Sequence, residues 1–345
     1  MKKTVKILSL LLALVMMVSL AACGGGSSAD NGKQDNNSVA PSDNGDQGGS
    51  SDAAKTYKVG ICQLVQHDAL DAATQGFIDA LNEALPGQVE FDNQNASGDS
   101  AMCSTIVNQF LANEVDLILA NATPALQAAS AATAEVPILG TSITEYGVAM
   151  GIDGFTGTVG GNVSGTSDLA PLDQQAAMLK EWFPDAKNVA LIYCSAEANS
   201  QYQVDTVQAE LEKLGYTAEQ YSFSDSNDIA AVVEGAASWA DVIYVPTDNT
   251  AANNTGVIDN ICQPKGIPVI AGEEGICSGC GVATLSISYY DLGVATGKMA
   301  AKILTGEANI SEMPIEYAPD FTKKYNAAIC EALGLTAPEG YVAIG

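Results

Sequence analysis

The chain has 345 residues, of which 41 are acidic and 14 basic; all fourteen basic residues are lysines, and the formal charge is −27. A polyanion of this kind lacks the basic clusters that neutralise phosphates, which excludes the nucleic-acid-binding classes. Without arginine, an anionic group on a ligand must be held by hydroxyls, backbone N–H groups or lysine and not by a bidentate guanidinium.

The N-terminus carries Lys2, Lys3 and Lys6, then an apolar run over 7–20 that is short for a membrane span. This pattern is expected of a secretory signal peptide, residues 1–22. It ends in Leu20-Ala21-Ala22-Cys23, which resembles the lipobox of bacterial lipoproteins; the resemblance implies lipidation of Cys23 and a membrane-anchored protein on the extracytoplasmic face. Removal of 1–22 takes away three lysines and no acid, leaving a mature charge of −30. Residues 23–55 are Gly, Ser, Asp, Asn and Gln with few apolar positions. Such a segment cannot offset its ordering entropy by burial, and as a flexible tether it would reach about 30 Å.

From 56 onward, short apolar strands alternate with helical patterns. A strand is expected at 58–64, followed by Leu70, Ala73, Phe77, Leu81 and Leu85 at helical spacing, and further strands at 89–91, 116–120 and 136–139. A second series follows at 188–193, 216–221, 241–245 and 267–270. Strands alternating with helices mean βαβ units and parallel sheets. The segment from Asp116 to Pro124 parallels that from Asp241 to Asn249, and each is followed by a helical pattern and a Val-Pro or Ile-Pro strand. The expected fold is therefore α/β, with two doubly wound parallel-sheet lobes joined by a multi-strand hinge. The first lobe is expected to take 56–165 plus about 288–312, and the second 166–287 plus about 313–345. Chain crossings are expected near 151–171, near 283–289 and near Met313.

Parallel sheets carry functional loops beyond the carboxyl ends of their strands. The polar segments found there are Gln66-His67-Asp68, Asn121-Ala122-Thr123-Pro124, Thr141-Ser142, Glu197-Ala198-Asn199-Ser200, Thr247-Asp248-Asn249 and Glu273-Glu274. Helix capping accounts for each alone: Ser167 or Asp168 before Pro171, and Asp68 or Thr123 before Pro124, suit helix N-termini. Capping does not explain why both lobes are polar on the same sheet edge, and two lobes facing across a hinge would bring these segments to one cleft.

Several of these runs together carry a resemblance. Gln66-His67 with Ala69-Leu70-Asp71, Asn121 to Pro124, Gly165 to Pro171, Glu197 to Ser200, Val245 to Asn249, Ala271 to Glu274 and Ser288 to Gly293 are similar, in this order, to the ABC-type substrate-binding lipoproteins that include bacterial tryptophan- and tyrosine-binding proteins. The resemblance implies a type I periplasmic-binding-protein-like fold, a monomer that works with an ABC permease and ATPase, and capture of a small molecule, in particular an aromatic or large apolar amino acid. It implies no cofactor and no catalysis.

For such a ligand, the carboxylate is expected against the hydroxyls of Thr123, Ser142 and Ser167 and adjacent helix N-termini. The ammonium is expected on Asp248 or Glu273, the alternative for Asp248 being the N-cap of a helix that begins near Thr250, with neutral hydrogen bonds from Gln66, Asn121, Asn199 and Asn249. His67, Asp168, Ser200 and Tyr289 complete the candidate set, and Tyr146, Phe155, Tyr202, Tyr289 and Tyr290 are candidates for an aromatic pocket. His67, the sole histidine, has no nucleophile motif near it, so it is expected to shape the cleft or cap a helix. The glycine-rich run 157–165 lacks the Gly-Lys-Ser/Thr ending of a phosphate loop and reads as a crossover loop. Cys62 and Cys194 lie in strand patterns and are expected to be buried, while Cys277 and Cys280 form a Cys-x-x-Cys that suits a local disulfide or two thiols better than zinc. On the same fold, a sugar or nucleoside receptor is the alternative, with an enzyme third.

Overall fold

A computed structural model describes residues 55–344. The signal peptide, Cys23 and the tether expected at 23–55 fall almost wholly outside these residues. No helix among the described residues is long and apolar enough to cross a membrane.

The chain runs through β1 (Tyr57–Gln63), α1 (Asp68–Ala84), β2 (Val89–Asn95), α2 (Ser100–Ala112), β3 (Leu117–Asn121), α3 (Thr123–Ala132), β4 (Ile138–Ile143), α4 (Tyr146–Met150) and β5 (Val163–Ser167). It crosses to α5 (Leu172–Trp182), β6 (Asn188–Cys194), α6 (Ala198–Lys213), β7 (Thr217–Phe223), α7 (Ile229–Ala237), β8 (Val242–Val245), α8 (Asn249–Ala252), α9 (Thr255–Cys262), β9 (Val269–Ala271), α10 (Glu274–Cys280) and β10 (Ala283–Ser286). It ends with α11 (Tyr289–Leu304), β11 (Glu316–Tyr317), β12 (Thr322–Tyr325), α12 (Ala327–Leu333) and β13 (Val342–Ala343).

Two sheets result, ordered β2-β1-β3-β4-β5-β11 and β7-β6-β8-β9-β10-β12-β13. The first is parallel throughout; in the second only the β10–β12 pair is antiparallel. The first five strands of each lobe thus repeat one doubly wound order, 2-1-3-4-5, whose reversal point lies between the first and third strands. Strands buried on both faces explain why the sequence shows continuous apolar runs there: β3 and β8 are buried along their whole length. Separate apolar clusters fill the two faces of each sheet, Phe110, Ile118 and Leu126 against Phe77, Leu81 and Leu119 in the first, and Leu191, Val207 and Tyr244 against Ile192, Ile243 and Ile276 in the second.

The chain crosses between the sheets at three places. The first is 168–171, after β5, so a lobe boundary at 165 would cut through that strand. The glycine-rich run expected to be a crossover loop ends inside β5, because Val163 to Gly165 pair with Ile138 to Gly140. The second is 287–288, between β10 and α11, which packs with α1 and β4 of the first lobe. The third lies at 318–321 and not near Met313, because Glu316 and Tyr317 still pair with Thr166 and Ser167.

Candidate functional site

The carboxyl ends of the strands face each other across a narrow cleft lined by His67, Leu70, Ser142, Thr144, Asp168, Asn199, Thr247, Asp248, Asn249, Ala252, Glu273 and Tyr289. Eight residues expected from the sequence meet there: His67, Ser142, Asp168, Asn199, Asp248, Asn249, Glu273 and Tyr289. No lysine lines the cleft, and its apolar contacts come from Leu70, Ala252 and the Tyr289 ring.

The first lobe contributes two residues with unusual placement. Ser142 has φ 56°, and the β4–β5 register shifts between Gly140 and Ile143. A left-handed serine within such an irregularity is strained, as is common where a strand end re-aims a side chain at a site. Its Oγ is buried without a hydrogen-bond partner among the described residues. His67 sits at the N-cap position of α1 but its side chain makes no cap bond. Its Nε2 instead donates to Oδ1 of Asn249 across the cleft at 3.3 Å. Burial lowers the imidazole pKa, outweighing the acids around it, so the ring is neutral near pH 7. The N-terminal N–H groups of α1 are therefore free of a side-chain cap.

Asp168 lies on the first crossing. The Tyr289 hydroxyl, at the start of α11, donates to its Oδ2 at 2.9 Å, while Oδ1 is buried with no partner. Burial pushes the carboxyl pKa up to about 6 despite the Tyr289 bond and weaker stabilising contacts from the Thr144 side chain and the Asp168 backbone N–H, neither of which has the geometry of a full hydrogen bond. Two expected roles shift here. Neither Ser167 nor Asp168 caps α5, whose N-cap is Pro171 without a side-chain bond. The Ser167 Oγ donates to the Thr144 carbonyl and accepts from Leu169 N, which forms the turn and leaves no free hydroxyl for a carboxylate.

In the second lobe, both acids expected to receive an ammonium are engaged as helix caps. Asp248 Oδ1 accepts from Ala251 N at 2.8 Å and Oδ2 from Cys194 N at 2.6 Å, tying α8 to the end of β6. Glu273 accepts from Gly275 N at 2.6 Å and from Ile276 N, capping α10. Burial, reinforced for Asp248 by the charge of Glu197, pushes both carboxyls up to about 7. Glu197 accepts from Asn249 N and Nδ2 and from Thr250 N and Oγ1, so it binds α8 to α6. Asn249 is thereby used on both sides. Asn199 Nδ2 donates to the Thr247 carbonyl at 3.2 Å, and its Oδ1 is buried without a partner.

The remaining expected residues stand outside the cleft lining. Gln66 is exposed and lines a separate gap with Asn253 and Ser278. Asn121 Nδ2 donates to the Leu70 carbonyl and to Thr74 Oγ1, which fixes α1 on its sheet. Thr123 is buried in the first turn of α3, where Ala122 and not Thr123 holds the N-cap position. Ser200 is buried behind Asn199. Of the five aromatics, only Tyr289 reaches the cleft: Tyr146 is stacked on Phe155 in the first-lobe core and Tyr290 is exposed, bonded to Asp79. Thr144, Leu70 and Ala252 were not expected as lining residues; Leu70 was legible in a helical stripe and in the run 69–71, and Thr144 and Ala252 carried no signal. All seven described cysteines are buried free thiols, and Cys277 and Cys280 donate to backbone carbonyls near their own helix.

Two duplicated α/β lobes, joined by three crossings and enclosing a polar cleft at their strand ends, define a hinged small-molecule-binding protein. The profile of the ABC transporter substrate binding protein family matches residues 58–343, and the chain belongs to that family, one of binding proteins and not of enzymes. It is 34% identical over 316 residues to a tyrosine-binding protein of Clostridioides difficile, covering 91% of this chain and 88% of that one. The fold superposes with a TM-score of 0.80 on a domain from Streptococcus pneumoniae in complex with L-Trp, at 34% identity over 84% of this chain and 100% of that one. It matches the ligand-free, open form of a substrate-binding protein with adhesive properties from Clostridium difficile at a TM-score of 0.64, with 36% identity over 84% of this chain and 99% of that one. At nearly equal identity, the chain superposes better on the liganded relative than on the open one.

Proposed function

We propose that this protein is the extracytoplasmic receptor of an ABC importer, anchored through lipid on Cys23, and that it closes on an aromatic or large apolar amino acid. One observation carries the assignment of the ligand class. Among the described residues six buried side-chain polar atoms lack partners; Asn121 Oδ1, Trp182 Nε1 and Thr284 Oγ1 lie outside the cleft lining, whereas Ser142 Oγ, Asp168 Oδ1 and Asn199 Oδ1 come from the first lobe, the crossing and the second lobe of one cleft. Buried polar groups are satisfied in most folded proteins, and the convergence of three of the six on one cleft supports a polar ligand there. Of these three, two are acceptors suited to an ammonium, and one is a hydroxyl able to donate to a carboxylate, beside the uncapped N-terminus of α1.

In this reading Asp168 takes the ammonium and Asn199 shares it, while Ser142 and α1 hold the carboxylate. Asp248 and Glu273 serve as caps. The ligands bound by the tyrosine-binding relative and in the L-Trp complex support the choice of side-chain class. The Leu20-Ala21-Ala22-Cys23 sequence supports the anchor. Calorimetric titration of the full chain in detergent with each of the twenty amino acids tests the proposal. Saturable binding of tyrosine or tryptophan with a Kd of micromolar order or tighter is expected, and absence of saturation by any amino acid up to about 1 mM would exclude it.

A further inference from the structure

The cleft holds more negative groups than any single ammonium needs. Asp168, Asp248 and Glu273 are 4%, 1% and 3% exposed, they line the same space, and no lysine accompanies them. Buried Glu197 stands directly behind Asn249. Groups of like charge in a dry site cannot all ionise without a compensating cation. The other titratable groups around them supply none. Asp168 faces Tyr289, Tyr146 and Glu273; Asp248 faces Glu197 and Cys194; Glu273 faces Glu274, Tyr289 and Cys277. His67, surrounded by Glu197, Asp71 and Asp68, is held neutral by burial.

We propose that the ligand's ammonium replaces a proton in this cleft: empty lobes close only when the carboxyl cluster holds a proton, and capture of an amino acid expels it. The inference rests on the amino-acid reading above and adds to it an exchange. The cluster loses one proton to solvent as a carboxyl O–H bond breaks heterolytically, and the Asp168 carboxylate pairs with the incoming ammonium, which keeps its three N–H bonds. Protons and ligand then compete for the same closed state, and by linkage affinity must rise as pH rises through the range where the empty cluster is protonated. The raised pKa values of all three acids agree in direction.

The test uses the full chain in detergent, titrated with L-tryptophan and L-tyrosine near pH 6.5 in phosphate and in imidazole, whose ionisation enthalpies differ. The expected result is a buffer-dependent heat that reports net proton release, with Kd falling about three- to ten-fold between about pH 5.5 and pH 7.5. Saturable binding with no buffer dependence, or with proton uptake, would overturn the exchange and leave the amino-acid reading intact. Failure of both ligands to saturate would overturn both. X-ray scattering of the ligand-free protein gives a second readout: a smaller radius of gyration at about pH 5 than at about pH 8 is expected, and equal radii would overturn the proton-held closure.

Discussion

At the scale of single residues, two aspartates of the cleft look alike in sequence and differ in what their oxygens do. Asp168 keeps one oxygen unpartnered, whereas Asp248 spends both on backbone N–H groups. Asp168→Asn should retain the Tyr289 bond and lose the charge that meets the ammonium. The expected outcome is a loss of affinity of about thirty-fold to several thousand-fold by calorimetry, with no fall in the ligand-free melting temperature. Asp248→Asn can accept from only one of its two N–H donors, and leaving the other buried costs about 1–3 kcal/mol. A lowered ligand-free melting temperature is therefore expected, and if only binding fell at unchanged stability, the cap assignment would be wrong. The sequence made the cleft legible as a set of polar segments at strand ends but not the division of labour within it. Whether a carboxylate caps a helix or faces a cavity depends on whether a helix starts one residue or three residues later, and sequence patterns do not place helix starts that finely. Asp248 was readable as an ammonium partner or as the N-cap of a helix near Thr250, and it is the cap; its second bond, from Cys194 N, and the capping of α10 by Glu273 were not legible.

At the scale of elements, the β1 to β4 and β6 to β9 series was legible because strands buried on both faces leave continuous apolar runs between amphipathic helices. The parts that escaped are those whose partners are remote. β5 is short and follows a glycine-rich run, and β11 has two residues; each exists because a neighbouring strand accepts it. The α1–α11 contact was equally hidden. It joins helices more than two hundred residues apart, and Gly76, Gly293 and Gly297 let the two backbones meet, since a Cβ on Gly293 would fall on the Ala73 carbonyl and one on Gly76 on the Tyr290 carbonyl. Gly293→Ala should force these helices apart. A destabilisation of about 1–3 kcal/mol or more is expected from overpacking against backbone, seen as a lower melting temperature. A variant as stable as the parent would show that the helices have room to separate.

At the scale of the whole molecule, charge and burial act in the same direction on the acid response. A carboxyl whose pKa is raised by folding binds its proton more tightly in the folded state, so its contribution to stability is complete below the unfolded value, about 4, and is lost as pH rises through the folded one. For Asp168, Asp248 and Glu273 that window closes at about 6 to 7. The formal charge of −27 adds self-repulsion as the remaining acids ionise. The ligand-free melting temperature should therefore fall from about pH 5 to about pH 8, and saturating tryptophan or tyrosine should flatten the fall by supplying the missing cation. A melting temperature that rises over this range would contradict the burial of un-neutralised acids in the cleft.

The sealed thiols of the folded part have a further consequence. All seven lie beneath the surface, and burial raises the pKa of those lining the second-lobe core, Cys262, Cys277 and Cys280, so that little reactive thiolate forms. An oxidant therefore finds little thiolate to attack in the second-lobe core while that lobe stays folded. Access to these second-lobe sulfurs is set by how seldom that lobe unfolds.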